Sequence, residues 1–384
     1  METEKTKMQD TENTVECELD KGKDWSDTDT DDAPDITKPF DPTQINISPK
    51  QDTLVNIIAR LRNDEIDMNT EFQRHADLWN NAKMSRFIES ILIRFPIPSF
   101  YFDASNDDKW LIVDGLQRLS SIKKFVIDKK LRLSGLEYLN EQKGKTFDEL
   151  HRSFQRRIDE CPITTFQIMP GTPDEVKYSV FRRINTGGLV LNNQEIRNAM
   201  AKPRERKFLV QLAADPNMVS TMGDQSKRMA DQELVLRFIA FYTQDYLKSK
   251  KNIAAFLDEA LKYISERTDA ELDNLGCLFR RSLKYSHEMF KEFAFMKRSD
   301  EKAGKRRRKN ATLFEVWTVC LAKLNDKDAD LLIERREQVI EKQNTLLDPG
   351  KDFYRSISLA TQKRDHVKIR YAAIDSLIKE VLDA

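Results

Sequence analysis

The segment KWLIVDGLQRLSSIKKFV, residues 109–126, joins a strand pattern to a helix pattern within a few residues. Its first part, Trp110–Val113, is a short apolar run of residues that favour strands. From Leu119 onward the apolar side chains recur with helical spacing. Asp114 and Gly115 stand between the two patterns, at a junction that glycine turns easily. The segment therefore predicts a strand that ends in a sharp turn and continues directly as a helix.

The flanking segments predict further helices and strands. Ser48 and Pro49 are start signals for a helix whose apolar stripe is Leu54, Ile57, Ile58 and Leu61. A second apolar stripe predicts a helix over residues 81–95 that Pro96 and Pro98 end. The remaining patterns predict a hairpin of 100–102 with 110–113, a strand over 163–168, and helices over 175–185 and from Asn192 or Asn193 to 200. These elements indicate a mixed α/β domain at 42–200.

Beyond residue 200 the strand patterns disappear, and the amphipathic segments predict an all-helical domain at 201–384. The fold class is therefore α+β, with the mixed domain first and the helical domain second. Residues 1–41 have a different composition. Residues 1–40 carry thirteen acidic and five basic side chains, although the whole chain has a formal net charge of zero. We expect this acidic tail to be disordered and the folded body to be mildly basic.

Composition also excludes several classes of protein. No run approaches the roughly 18 consecutive apolar residues of a membrane-spanning helix, and the N-terminus lacks the apolar core of a secretory signal. The cysteines and histidines are too dispersed for a disulfide framework or a zinc site, which indicates reduced thiols and a cytoplasmic protein without a membrane partner. They are Cys17, Cys161, Cys277, Cys320, His75, His151, His287 and His366.

The junction after the strand has a plausible binding chemistry. The start of a helix attracts anions, Gly115 lets an anion approach the backbone, and Arg118 can contact phosphate oxygens in bidentate fashion. Asp114 can hold Mg²⁺ or a sugar hydroxyl, and Gln117 can orient a water molecule or a base edge. The structural alternative is a buried turn in which Asp114 caps the helix and Arg118 pairs with a carboxylate of the core.

Two further polar clusters favour a binding site over the structural alternative. One places Gln73 and Arg74 before a Trp in an otherwise unpatterned segment. The other joins Arg182 and Arg183 to the turn Asn185-Thr186-Gly187-Gly188 and to a helix that contains Glu195, Arg197 and Asn198. Cationic loops beside glycine turns are where binding groups usually lie. For Glu195 and Arg197, a structural ion pair is the simpler interpretation.

Four motifs occur together and in order over about 130 residues: FQRHADLWN, SRFIESILIRFPIPSFYF, LIVDGLQRLSSIKKF and FRRINTGGLVLNNQEIRNA. This arrangement resembles the N-terminal domain of GmrSD-type restriction endonucleases, a branch of the ParB/sulfiredoxin-like superfamily. The resemblance implies a nucleotide-phosphate site, nucleoside triphosphate hydrolysis in some members, and a role in prokaryotic defence against foreign, often modified, DNA.

The resemblance assigns residues to that site. Asp114, Gln117 and Arg118 would be catalytic, with Asp114 also binding Mg²⁺. The nucleotide or phosphate would be bound by Gln73, Arg74, Gly115, Arg183, Asn185, Thr186 and Gly187.

Two departures from the family pattern bear on activity. The first Gln of the family hallmark D-G-Q-Q-R is Leu116 here, which would weaken hydrolysis if that Gln positions the attacking water. Full-length members often carry an HNH-type nuclease domain, and we find no paired His or Asn-His signature around His287 or His366. We therefore expect no HNH centre in this chain.

A dense basic run in a loop of the helical half is a weaker candidate for nucleic-acid contact: Lys305, Arg306, Arg307, Arg308 and Lys309. A solvated loop is the equally simple interpretation. Three functions stay open from the sequence: an NTP-binding and hydrolysing enzyme, a non-catalytic DNA sensor or regulator, and a direct ParB-like nuclease. The expected ligands and partners are Mg²⁺, a nucleoside triphosphate and DNA, with a partner nuclease subunit or a second copy of the chain.

Overall fold

The computed structural model describes residues 16–17, 45–68, 79–184, 192–297 and 308–384. These residues form two compact units, one of which ends at Met200 while the other contains the chain from Ala201 onward. The first strand, β1 (Glu16–Cys17), belongs to the second unit. The rest of the predicted acidic tail lies outside the described residues, as do residues 69–78, 185–191 and 298–307.

The first unit is a five-stranded mixed sheet with helices. Its strands are β2 (Ile47–Thr53), β3 (Ile66–Asp67), β4 (Phe100–Asp103), β5 (Trp110–Asp114) and β6 (Pro162–Ile168). Its helices are α1 (Leu54–Arg62), α2 (Asn81–Leu92), α3 (Leu116–Ile122), α4 (Arg152–Asp159), α5 (Asp174–Ile184) and α6 (Asn193–Met200). The predicted α+β class, the hairpin β4–β5 and the strand–turn–helix passage β5–α3 are confirmed.

The predicted helix start at Ser48 is wrong. Residues 47–53 form strand β2, and the helix begins only at Leu54. Because β2 is polar and pairs along its whole length with β6, its stability comes from the ladder rather than from its own side chains. The apolar stripe was predicted correctly, since Leu54, Ile57 and Ile58 are almost completely buried.

The sheet has the strand order β2-β6-β4-β5-β3. β2 is antiparallel to β6, β6 is parallel to β4, β4 is antiparallel to β5, and β5 is parallel to β3. One face of the sheet packs on the helices. Its core contains Phe100, Phe102, Trp110, Ile112 and Ile163 from the strands, together with Ile57, Ile88, Leu119 and Ile122 from α1, α2 and α3.

The second unit is almost entirely helical. Its helices are α7 (Pro203–Ala213), α8 (Pro216–Met222), α9 (Ala230–Thr243), α10 (Ile253–Glu266), α11 (Asp269–Phe290), α12 (Ala311–Ala322), α13 (Asp326–Glu334), α14 (Arg336–Leu346), α15 (Asp352–Ser356) and α16 (Arg364–Leu382). Every residue of α12 is buried, so this apolar helix forms the centre of the unit. One short parallel pair, β1 with β7 (Arg308–Lys309), departs from the all-helical prediction.

Among the described helices, none is long and apolar enough to cross a membrane.

Candidate functional site

A β-bulge in β5 determines where the Asp114 side chain lies. Leu111 pairs with Asp103 and Ile112 with Phe102, but Tyr101 then pairs with Asp114 instead of Val113. In an uninterrupted antiparallel ladder, Asp114 would lie opposite Phe100, which is completely buried in the core. The extra residue moves Asp114 into register with Tyr101, on the face of the sheet that faces away from this core. A bulge therefore places a carboxylate at a half-exposed position.

The turn that follows requires glycine. Gly115 has φ 103°, a left-handed conformation that residues with a Cβ atom rarely adopt. A Cβ atom at this position would also lie 2.5 Å from Cδ1 of Phe100. Because Gly115 has no side chain, the backbone can pass close to Phe100, and the chain enters α3 directly after β5. The predicted role of Gly115 as the pivot of this junction agrees with both observations.

Asp114 and Arg118 form an ion pair one helical turn apart. Nη2 of Arg118 donates to Oδ2 of Asp114 at 2.6 Å, while Nη1 donates to the carbonyl oxygens of Pro98 and Ser99 at 2.5 and 3.0 Å. The guanidinium carbon lies 4.8 Å from the centroid of the Phe100 ring. Burial lowers the pKa of Arg118 from its ordinary value, and the charge of Asp114 opposes this shift. Arg118 remains a cation, and its contacts with Asp114 and with the two backbone carbonyls hold the guanidinium in one orientation.

The pair differs in two respects from the structural alternative, a buried turn in which Asp114 caps the helix and Arg118 pairs with a core carboxylate. Asp114 does not cap α3, because the cap position is Gly115 and no side chain among the described residues caps the helix. Arg118 pairs with Asp114 itself and not with a separate core carboxylate. Within the described residues, Oδ1 of Asp114 and Nε of Arg118 have no hydrogen-bond partner. The Asp114 side chain is 34% exposed, so a ligand can reach its second oxygen.

Gln117 connects this junction to the upstream motif. Its Oε1 accepts a hydrogen bond from the backbone N–H of Trp79 at 3.1 Å. The Trp79 ring packs edge-to-face against Phe87, and the Nζ of Lys83 lies 4.9 Å from its centroid. Trp79 follows directly on residues 69–78, so Gln73 and Arg74 lie outside the described residues. Leu116 is half-buried and packs against the apolar core of the unit.

The downstream motif is described only in part. Arg183 lies exposed in the last turn of α5, whereas Asn185, Thr186 and Gly187 lie outside the described residues. The helix α6 begins with a reciprocal cap, in which Oδ1 of Asn192 accepts from the Glu195 N–H and Oε2 of Glu195 accepts from the Asn192 N–H, both at 2.7 Å. This capping box accounts for Glu195 in structural terms.

Gln194 was not among the predicted site residues. It is completely buried, yet neither its Oε1 nor its Nε2 has a hydrogen-bond partner among the described residues. An unpaired buried amide is costly and therefore uncommon. Its place in the NNQEIRNA motif, one residue before Glu195, is the sequence signal that marks it.

The basic run of the helical unit divides into two parts. Lys305, Arg306 and Arg307 lie outside the described residues. Arg308 is half-buried in β7, next to Lys309. Lys309 is 3% exposed, and its ammonium donates to the carbonyl oxygens of Glu292 and Ala294. That ammonium is not available to a nucleic-acid backbone, contrary to the prediction for this residue.

The described side chains contain no group of three or more His, Cys, Asp or Glu residues that can hold a metal ion. Mg²⁺ is usually bound by one or two carboxylates together with water and substrate phosphates. Asp114, with one oxygen free of described partners, fits a Mg²⁺ ion that arrives with a phosphate ligand. It does not fit a preformed all-protein metal site.

Comparison with known proteins gives one finding. The family model of the GmrSD restriction endonuclease N-terminal domain matches residues 56–202, which include most of α1, the Asp114–Arg118 junction and α6. No curated protein and no solved structure matches the chain significantly. Residues 56–202 therefore form an N-terminal domain of the GmrSD restriction endonuclease family.

Proposed function

We propose that this protein binds the phosphate of a nucleotide or of DNA at the Asp114–Arg118 pair, as part of prokaryotic restriction-type defence against foreign DNA. The family assignment of residues 56–202 supports the restriction-type, DNA-related role. The observation that carries the proposal is the ion pair itself, which a bulge and a left-handed glycine place at the end of β5.

The two residues would act as follows. Arg118 holds the carboxylate in one orientation, because its Nη1 is anchored on Pro98 and Ser99. Its Nε–H has no acceptor among the described residues and can donate to a phosphate oxygen without loss of those anchors. The second oxygen of Asp114 has no partner among the described residues, and the side chain is 34% exposed. This oxygen would hold a Mg²⁺ ion that accompanies the phosphate, and the ion would neutralise phosphate charge during transfer.

Whether hydrolysis follows binding depends on the residues beside the pair. Leu116 packs on the apolar core and cannot orient a water molecule. Gln117 has the required amide, but its oxygen accepts from Trp79. These two contacts favour the second candidate, a sensor or regulator that binds phosphate without turnover. The enzyme candidate requires that Gln117 exchange this contact for water when ligand binds.

The test is Mg²⁺-dependent phosphate release from ATP, GTP and CTP, measured beside calorimetric binding of the same nucleotides. The variants are Asp114→Asn, which keeps the shape and removes the charge, and Arg118→Lys. Both should lower affinity by 10-fold or more, because each removes a charge-assisted contact worth about 1.5–3 kcal/mol. A matched control is Arg132→Ala, since Arg132 is an exposed arginine of the same unit that pairs with Glu149.

The three candidate functions give different results. Turnover that disappears in Asp114→Asn identifies an enzyme, and tight binding without turnover identifies a sensor. Cleavage of plasmid DNA by the wild type, abolished in the same variant, identifies a nuclease. If wild-type protein binds neither nucleotide nor DNA in the presence of Mg²⁺, the proposal is wrong.

A further inference from the structure

A single row of residues crosses the sheet beside the charged pair. Tyr101 of β4 pairs with Asp114 of β5 on one side and with Phe166 of β6 on the other, and Phe166 pairs with Pro49 of β2. Residues paired in neighbouring strands point to the same face of a sheet. The row Asp114–Tyr101–Phe166–Pro49 therefore lies on one face, opposite the buried Phe100 and Phe102.

The aromatic members of this row are stacked and partly open to solvent. The Tyr101 and Phe166 rings lie 4.7 Å apart between centroids, with their planes at 11°. Both residues are half-buried, and Pro49 beyond them is exposed. The next row along the strands differs, because Asp103 is paired with Lys177 of α5 at 3.1 Å and Ile168 is buried. Among the described residues, α5 thus contacts the neighbouring row, whereas Tyr101 and Phe166 each keep part of their surface exposed.

This aromatic surface begins directly at the charged pair. Neighbouring strands lie about 4.8 Å apart, so Tyr101 and Phe166 lie roughly 5 and 10 Å from Asp114 along the row. A flat apolar surface next to a phosphate-binding group is the combination that nucleic-acid-binding proteins use to hold a base and its backbone.

We infer that Tyr101 and Phe166 form the stacking platform for the nucleobase whose phosphate binds at Asp114 and Arg118. The inference rests on the proposed function and adds the recognition of the base to it. The base can belong to a free nucleotide or to DNA, and both present the same flat ring. A purely structural cross-strand pair would stabilise the sheet equally well, so the test separates ligand binding from folding.

The test is calorimetric titration of the full chain with three ligands in the presence of Mg²⁺: tripolyphosphate, ATP and a short single-stranded DNA. Tyr101→Leu and Phe166→Leu keep an apolar side chain and remove the ring, whereas Tyr101→Phe keeps the ring. Tyr138→Leu is the matched control, because Tyr138 is a 63% exposed tyrosine of the same unit. Thermal unfolding of each variant shows that the fold is retained.

We expect both Leu variants to weaken binding of the base-bearing ligand by roughly 5- to 100-fold, the range that loss of one stacked base gives. Tripolyphosphate affinity should stay unchanged, and Tyr101→Phe should bind like the wild type. The ligand that loses affinity identifies the source of the base as nucleotide or DNA. Equal losses for tripolyphosphate and ATP, or no loss at all, would overturn the stacking platform without contradicting the proposal that Asp114 and Arg118 bind phosphate. A wild type that binds none of the three ligands would overturn both proposals.

Discussion

The side-chain oxygen of Gln117 accepts a hydrogen bond from the backbone N–H of Trp79, 38 residues earlier in the chain. This contact joins the start of α3 to the segment before α2, and with it two motifs that are separate in the sequence. The junction at Asp114 and the upstream motif are therefore parts of one structural arrangement. Gln117 therefore positions the start of α3 against the segment before α2, apart from any role in chemistry.

The first prediction concerns this contact. Gln117→Met removes the acceptor at similar size and should lower the free energy of unfolding by about 0.5–1.5 kcal/mol. It should also speed amide hydrogen exchange at Trp79, which loses its partner. Gln117→Glu keeps an acceptor oxygen and should protect the Trp79 amide as the wild type does. Equal exchange rates at Trp79 in all three proteins would show that the contact does not form in solution.

The second prediction concerns the turn at Gly115. Gly115→Ala should cost about 1–2 kcal/mol for the left-handed backbone and a further 1–3 kcal/mol for the clash with Phe100. Gly144→Ala is a matched control, because Gly144 has φ 84° and no atom within 4 Å of an added Cβ. Chemical denaturation should show the larger loss at Gly115. Equal losses would mean that Phe100 does not approach the turn closely.

The third prediction concerns pH and Glu89 of α2. Its carboxylate is buried and accepts from the N–H groups of Glu137, Tyr138 and Leu139 at 2.7–2.9 Å. Burial acts to raise the pKa of Glu89, but these three hydrogen bonds outweigh it and lower the pKa below the ordinary value of 4.5. The stabilisation is therefore fully present above pH 4.5 and is lost as the pH falls through the lowered pKa.

Glu89→Gln should consequently cost about 1–3 kcal/mol at pH 7 and progressively less as the pH falls from 4.5 through the lowered pKa. The measurement is the free energy of unfolding of both proteins across this range. A stability difference that does not shrink as the pH falls would show that the carboxylate charge is not the stabilising feature.

The fourth prediction concerns a buried charge network in the helical unit. Glu315 of α12 is completely buried and accepts from Arg237 at 3.2 Å and from Arg370 at 2.5 Å. Glu315→Gln would remove the carboxylate charge that pairs with these two buried arginines. This change should lower the free energy of unfolding by about 3–5 kcal/mol. The exposed pair Lys342–Glu380 is the control, since Glu380→Gln should cost less than about 1 kcal/mol. A loss at Glu315 as small as at Glu380 would contradict the buried network.

The sequence predicts those parts of the fold that depend on local patterns. The apolar stripe from Leu54 to Leu61 and the hairpin after Pro98 follow from spacing that is visible in the chain. Strand β2 does not, because its polar residues become a strand only by pairing with β6, more than 100 residues away. The burial of Lys309 was missed for a similar reason, since its acceptors are backbone carbonyls of a neighbouring segment.

The same limit applies to the candidate site. The spacing of Asp114 and Arg118 allows an i,i+4 ion pair, so their contact is accessible from the sequence. The bulge at Val113 is not, because it is a property of the register between two strands. That register brings Asp114 beside Tyr101 and Phe166, and neither aromatic residue stands out in the sequence as a site residue.

The central claim is that Asp114 and Arg118 bind phosphate with Mg²⁺. The most direct measurement is calorimetric titration of ATP into wild-type and Asp114→Asn protein, each with Mg²⁺ and with EDTA. The proposal predicts that the wild type binds ATP more tightly with Mg²⁺ than with EDTA, and that the Asn variant loses this difference. A wild type whose affinity does not respond to Mg²⁺, or an Asn variant that keeps the full response, would contradict the claim.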